Sequence, residues 1–485
     1  MTAKRIGLIS MLFCFISTAF AGGILTNTNQ SARFARLMAL EASTKADAAY
    51  YNPAGTIKLP EGFHFTFSNQ SAFQERIINS TFEGYRAAYG GDGGNFKQFK
   101  GTASAPIIPS LQGVYRKGKW ALSGSVAVVG GGGKATFDDG LSMFEAPISS
   151  LVPMLNGYAP ALIGGVPGAS LKAKGYSVNQ YMTGSNFIYG AQLGGAYKIN
   201  DMFSVYGGFR LNIVHNKYEG QLTNLQLHIE SQGLGVAGLP DNDSYINPAP
   251  ILDMVKNSNN PLITPELKAQ LVLPGKAAGE GAYLESKQSG WGVAPIIGFH
   301  FSHKGLNIGA KYEFRTSLDV ENKTTRDDTN QFKDGVNTAH DVPALLAIGA
   351  SYDIIEPLTV SVGYHHFFDK NAGMANDKQK ALEGGTNEYL AGIEYRIDRM
   401  FLVSMGGQIT RYGLADGFQS DLSFYVNSYS LGFGGAVNVS KNVQINVGYF
   451  FTDYSDYKMA EVAGQPSNVY TRKNKVFTAG IDFSF

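Results

Sequence analysis

Lys311, Glu313 and Arg315 stand at alternate positions of one short segment, so in a strand all three project from the same face. Such a set can pair internally or meet the head group of an anionic ligand, and Arg210, between Ser204 and Asn212 in another alternating run, is a further charge of that kind. Signals for catalysis are weaker. Gly233-Leu234-Gly235-Val236-Ala237-Gly238 matches the dinucleotide pattern G-x-G-x-x-G, but no strand–helix unit frames it. The pairs His300/His303 and His365/His366 do not converge on one ion from a strand, and no cysteine or carboxylate stands at ligand spacing beside them. No G-x-S-x-G elbow occurs. The chain therefore reads as a non-enzyme without metal or other cofactor.

The elements that must position these charges are strands. Leu306, Ile308, Ala310, Tyr312 and Phe314 alternate with Asn307, Gly309, Lys311, Glu313 and Arg315. Val443, Ile445, Val447, Tyr449 and Phe451 alternate with Gln444, Asn446 and Gly448, and Phe203, Val205, Phe209, Leu211 and Ile213 with Ser204, Arg210 and Asn212. A soluble sandwich would bury one set of charges or turn one set of large apolar groups to water. A transmembrane barrel removes that conflict by facing lipid outside and a wet lumen inside. The composition agrees, with 59 Gly, 31 Phe and 26 Tyr but only 16% charged residues. The 40 basic and 39 acidic residues nearly cancel, which gives no electrostatic basis for a nucleic-acid partner.

Fourteen strands are expected, at about 63–74, 105–117, 119–137, 176–198, 202–220, 283–302, 304–321, 339–353, 357–368, 386–397, 400–412, 424–439, 442–454 and 472–485, within a barrel spanning 58–485. Short turns at Arg116–Lys119, Lys198–Met202 and Ser440–Asn442 mark one end of the barrel. The other end carries long loops at about 138–175 and 231–282. These loops hold Leu141, Met143, Phe144, Ile148, Leu151, Leu155 and Leu162, then Leu252, Val255, Leu262 and Leu267. So many apolar side chains imply either a lid that packs on itself or a groove for a hydrophobic ligand. Leu141, Met143, Phe144, Leu151, Leu155, Leu252 and Val255 are the candidate groove residues.

Ahead of the wall, Lys4 and Arg5 precede an apolar run ending in Ala19-Phe20-Ala21, the pattern of a cleaved export signal over 1–21 that takes the one cysteine, Cys14, with it. Residues 22–57 combine a helix-forming stretch, Ser31–Leu40, with the stop Pro53 and Gly55, and read as a hatch inside the lumen. Gly130-Gly131-Gly132-Gly133 interrupts the third strand, which is expected to kink and open the wall there. The alternating last segment ends on Phe485, resembling the signal read by the barrel-assembly machinery.

Together these residues resemble the FadL and TodX family of outer-membrane transporters for long-chain fatty acids and aromatic hydrocarbons. The points of likeness are Asn52-Pro53-Ala54 after the Ala/Asp-rich Lys45–Tyr51, the run Pro106–Tyr115 with Trp120–Gly124 and the glycine interruption, and Tyr312–Ser317 with Arg315. The resemblance implies a fourteen-stranded outer-membrane barrel with an N-terminal hatch, and a groove between two external loops. It also implies a second pocket beside the hatch at Asn52, Pro53 and Ala54, and lateral exit at the kinked strand. The fatty-acid members carry a further basic residue where this chain has Leu318 and Asp319, which leaves Arg210, Lys311 and Arg315 as candidate head-group contacts. The expected partners are a hydrophobic small molecule, outer-membrane lipids with lipopolysaccharide, and the assembly machinery, the protein acting as a monomer. A porin and a surface adhesion barrel are the alternatives.

Overall fold

The computed structural model describes residues 23–89, 92–163, 167–233, 241–259, 261 and 263–485. The expected leader, Leu262, most of the Gly233–Gly238 motif and the side chain of Leu162 lie outside the described residues.

Fourteen antiparallel strands form one closed sheet. They are β1 Gly62–Thr81, β2 Phe96–Lys117, β3 Trp120–Phe137, β4 Ser170–Lys198, β5 Phe203–Gln232, β6 Ala282–His303, β7 Leu306–Glu313 continued by Asp319–Asp327, and β8 Asn337–Ala339 continued by Leu345–Ile355. Then follow β9 Leu358–Phe367, β10 Thr386–Arg396, β11 Phe401–Arg411, β12 Ser428–Asn438, β13 Val443–Tyr454 and β14 Ser467–Ser484. Closure comes from β1, which pairs with β2 on one side and with β14 on the other, from His64 opposite Ser484 to Thr81 opposite Ser467.

The expected strands are all present. Several run farther toward the long-loop end than their hydrophobic alternation suggests, β4 beginning at Ser170 and β5 ending at Gln232. There the outward residues become polar or charged, as in the surface ion pair of Lys100 with Glu75, so period-two hydrophobicity fades while pairing continues. Lower down, Phe63, Phe65, Phe67, Leu193, Phe209, Ile297, Met405, Phe433, Val447 and Phe477 all present large apolar side chains outward. Their partners in the alternation, such as Ser68, Gln112, Gln192, Arg210, Lys311 and Asn446, are buried inside. That outward band suits lipid chains and not water.

The lumen is filled by residues 23–59. Helix α1, Ala32–Leu37, begins at Ser31, whose hydroxyl accepts the Phe34 amide; α2, Ala48–Tyr51, and a 3-10 turn, Pro53–Lys58, follow. This hatch reaches the wall because facing wall positions are glycines. A Cβ at Gly392 or Gly406 would meet the carbonyl of Leu37, and one at Gly432 would meet that of Ala35. Gly392 lies opposite Gly406, and Gly406 opposite Gly432, so successive strands present bare backbone to α1.

The two long loops fold into helices over the barrel mouth: α3 Ser142–Ser149 and α4 Leu151–Ile163 in one, α5 Ala249–Asn257, α6 Pro265–Gln270 and α7 Val272–Ala278 in the other. One apolar cluster joins them to the upper ends of the strands.

Candidate functional site

The hatch meets the wall in two chemically different ways. Toward β7–β13 it is held by charge. Arg36 of α1 is buried and gives Nη1 to Glu394 Oε2 at 2.7 Å and to Ser404 at 2.6 Å, and Nη2 to Asn446 at 2.9 Å. Glu41, beyond α1, faces His365 at 2.8 Å, and the other nitrogen of that imidazole lies 2.8 Å from Glu388. Lys311 Nζ donates to the carbonyl of Tyr50 at 2.7 Å and pairs with Glu313 at 2.6 Å. Arg210 pairs with the same Glu313 at 2.5 Å, and both cations lie over the Tyr50 ring.

Toward β3 the contacts are neutral. The Asn27 amide N–H donates to Val129 O at 2.7 Å, its side chain to Gly131 O at 2.6 Å, and Gln30 Nε2 to Val128 O at 2.9 Å. Ser110 and Gln112 of β2 donate to Gln30 O at 2.8 and 2.9 Å.

Between these two strands the ladder is missing. Pairing of β2 with β3 runs from Lys117 opposite Trp120 to Ser110 opposite Ala127, stops, and resumes at Ser104 opposite Lys134. The stretch left unpaired is Ala105–Pro109 against Val128–Gly133, and it contains Pro106 and Pro109, which have no N–H to give. On its other side β3 keeps pairing with β4, with bulges at Val128/Gly130 and Gly131/Gly133. Gly131 holds φ 63° and Gly132 φ 116°, and a Cβ on Gly131 would collide with the Asn186 carbonyl. The four glycines thus lie where the β2–β3 ladder is interrupted, and the carbonyls of Val128, Val129 and Gly131 are taken up by hatch residues Asn27 and Gln30.

Other expected site residues are placed differently. Asn52-Pro53-Ala54 forms the base of the hatch at the short-turn end. The Asn52 amide nitrogen reaches Ser43 O at 3.0 Å and His300 Nδ1 at 2.9 Å, Ala54 O accepts from Ser204 at 2.7 Å, and Ala54 packs with Ile57, Val114, Ala121 and Tyr206. These contacts anchor the hatch to the wall. Arg315 does not join Lys311 and Glu313. The strand is interrupted over Phe314–Leu318, and the Arg315 side chain, 48% exposed, turns to Asp341 at 3.3 Å and to the carbonyl of Asn371 at 2.9 Å. Arg210 and Lys311 do come together, already sharing Glu313.

In the loops, Leu141, Phe144, Leu151, Leu155, Leu252 and Val255 are buried in one cluster, with Met143 against it. They act first as a lid core. An apolar recess lies beside them, lined by Phe144, Met182, Leu222, Leu273, Ala282 and Leu284, and of the expected groove residues only Phe144 borders it. Buried Glu145 ties α3 to Lys97 at 2.6 Å, to Tyr176 at 2.8 Å and to Gln180. Asp421, in the loop between β11 and β12, accepts from the Met143 N–H at 2.6 Å and from Tyr470 at 2.9 Å. Burial pushes its carboxyl up to about 6, against the hydrogen bonds that pull it down.

The closed fourteen-stranded wall has counterparts among solved structures. The structure is similar to the crystal structure of a FadL homologue from Pseudomonas aeruginosa, with TM-score 0.61 and 12% identity over 96% of this chain and 100% of that one. It is likewise similar to the toluene transporter TodX of Pseudomonas putida, with TM-score 0.52 and 13% identity over 96% and 100%. This chain has the FadL-type fold. No protein-family model and no curated protein matches it in sequence.

Proposed function

We propose that this protein is an outer-membrane channel for the passive uptake of hydrophobic small molecules. The single observation that carries the reading is the unpaired β2–β3 seam sealed from inside by Asn27 and Gln30. A wall with a full ladder cannot pass an apolar solute sideways. A seam whose carbonyls bond to a separate hatch segment opens when that segment shifts, at the cost of a few neutral hydrogen bonds, each about 1 kcal/mol net. Capture begins at the apolar loops, the solute moves past the Leu25–Gln30 segment, and it leaves through the seam into lipid. The driving force is partition, roughly 0.8 kcal/mol per methylene. The named similar structures, a FadL homologue and a toluene transporter, support the same class of cargo. The barrel works as a monomer among outer-membrane lipids and lipopolysaccharide, placed there through the strand ending in Phe485.

Gly131→Val with Gly132→Val tests the reading. Both glycines have positive φ, so the branched side chains force the strand off its kinked path. A variant that assembles in the outer membrane and takes up a labelled hydrocarbon at less than a tenth of the wild-type rate supports the proposal, and undiminished uptake overturns it. A general porin would instead pass ions, whereas this filled lumen predicts little conductance in planar bilayers.

A further inference from the structure

Along β1 the outward positions run Phe63, Phe65, Phe67, Asn69, Ser71 and Phe73. The four phenylalanines present their rings outward, so the apolar series that suits a wall in lipid is broken at two successive places by an amide and a hydroxyl. Polar side chains on a lipid face are costly unless their hydrogen bonds are made. Asn69 and Ser71 both make theirs to one spot on β2. Asn69 Oδ1 accepts the Ile108 N–H at 3.0 Å, its Nδ2 donates to the Pro106 carbonyl at 3.4 Å, and the Ser71 hydroxyl donates to that same carbonyl at 2.7 Å.

The groups they hold belong to a bulge. Gln70 pairs with Ile108 and Ala72 with Ala105, so Ser71 alone stands opposite both Pro106 and Ile107. This bulge lies within Ala105–Pro109, the stretch of β2 that has let go of β3. One length of β2 is therefore unpaired along its β3 edge and gripped by side chains along its β1 edge.

The prolines do not account for the gap alone. Pro106 and Pro109 remove two donors, but Ile107 and Ile108 keep their N–H groups and every carbonyl of the stretch can accept, which is enough for a weakened ladder to β3. Backbone groups in a bilayer go to whatever partner is near. Here β1 supplies that partner with side chains, and the bulge is drawn to the β1 side.

We propose that Asn69 and Ser71 are positioning residues that clamp β2 against β1 and so hold the gap between β2 and β3 open from the lipid side. Asn27 and Gln30 of the hatch cover the β3 edge of the same gap from the lumen. The outer clamp stays fixed while the inner contacts release. What passes through the gap rests on the uptake reading; the clamp itself does not.

A distance across the gap tests it. The only cysteine is Cys14, in the expected leader, so cysteines introduced into the barrel take nitroxide labels cleanly. Ile107→Cys and Tyr189→Cys place labels at two outward-exposed positions, Tyr189 lying on β4 opposite Val128 of β3. Pulsed electron paramagnetic resonance on the purified barrel then reads how far β2 stands from the β3–β4 side. Replacing both Asn69→Leu and Ser71→Ala should shorten that distance by up to about one inter-strand spacing, roughly 4.8 Å. In cells with the unlabelled barrel, hydrocarbon uptake should fall roughly tenfold. Ser71→Thr keeps the hydroxyl and should keep both the distance and the uptake. Ser104→Val, on the outward face of β2 just beyond the gap, should also keep both.

A distance that is unchanged or longer in an assembled double variant overturns the proposal, and so does an equal shortening in Ser104→Val. If the double variant fails to assemble, Ser71→Ala alone loses the shorter bond to Pro106 and should give a smaller shift of the same sign; no shift there overturns the proposal as well. A shortened distance with undiminished uptake leaves the clamp standing and overturns the uptake route through the gap.

Discussion

The two sides of the hatch differ in the chemistry that holds them. Toward β7–β13 its contacts are buried ions: Arg36 with Glu394, Glu41 with His365, and the Tyr50 carbonyl with Lys311. Toward β3 they are amide hydrogen bonds from Asn27 and Gln30 to carbonyls that the broken ladder leaves over. Removing one member of a buried ion pair typically costs 3–5 kcal/mol, because the other charge is stranded. A neutral hydrogen bond costs about 1 kcal/mol, and the acceptors here are the carbonyls of Val128, Val129 and Gly131 beside the glycine run. The comparison teaches where motion would be cheap: in the proposed uptake route the ionic side serves as the hinge of the hatch and the neutral side as its latch.

The largest effect is expected from breaking the hinge. Arg36→Met leaves Glu394 buried with Arg33 at 3.9 Å and Lys45 at 3.7 Å as its remaining partners. It should release the hatch and turn a poorly conducting barrel into one with a clear single-channel conductance in planar bilayers. Conductance as low as the wild type's would show that the ionic side does not hold the hatch. Next, Asn27→Ala removes the side-chain bond to Gly131 and leaves the backbone bond to Val129. It should loosen only the latch, by about 1 kcal/mol, giving up to a fivefold faster hydrocarbon uptake without new ion conductance. A conducting Asn27→Ala barrel would erase the distinction between the sides.

The smallest effect concerns the lid. Because the folded carboxyl of Asp421 is raised to about 6 from an ordinary value near 3.8, the folded loops bind its proton more tightly than the unfolded loops do. Stability is therefore greatest at low pH, falls as pH rises from about 4 through about 6, and is flat above. The change is on the order of 3 kcal/mol. Amide exchange at Met143, measured at pH 5 and pH 7 and corrected for the intrinsic rate, should show better protection at pH 5. Asp421→Asn should remove that difference.

Much of this architecture was legible in the sequence, because a lipid-facing wall forces strict alternation and each of the fourteen runs carries it. The interruption left a trace too: four consecutive glycines in β3 weaken a ladder, although it is the β2 side, around Pro106 and Pro109, that lets go while β4 stays paired, and this emerges only from the register. The loops announced their apolar content but not their helices, since Leu151–Ile163 contains Pro160 and Gly157 and has no clean amphipathic period. The charges were harder. Arg315 falls on the inward side of the alternation that begins at Leu306, but the strand itself ends at Glu313. Arg36, Glu41 and Glu394 gave no local signal, since their partners lie hundreds of positions away.

The most direct measurement is hydrogen–deuterium exchange of the hatch in the purified barrel, with and without a bound hydrophobic ligand such as toluene. The account predicts that ligand accelerates exchange at Leu25–Gln30, which spans the latch, while Phe34–Leu40 beside the ionic hinge stays protected. Acceleration at Phe34–Leu40 with Leu25–Gln30 unchanged would contradict it.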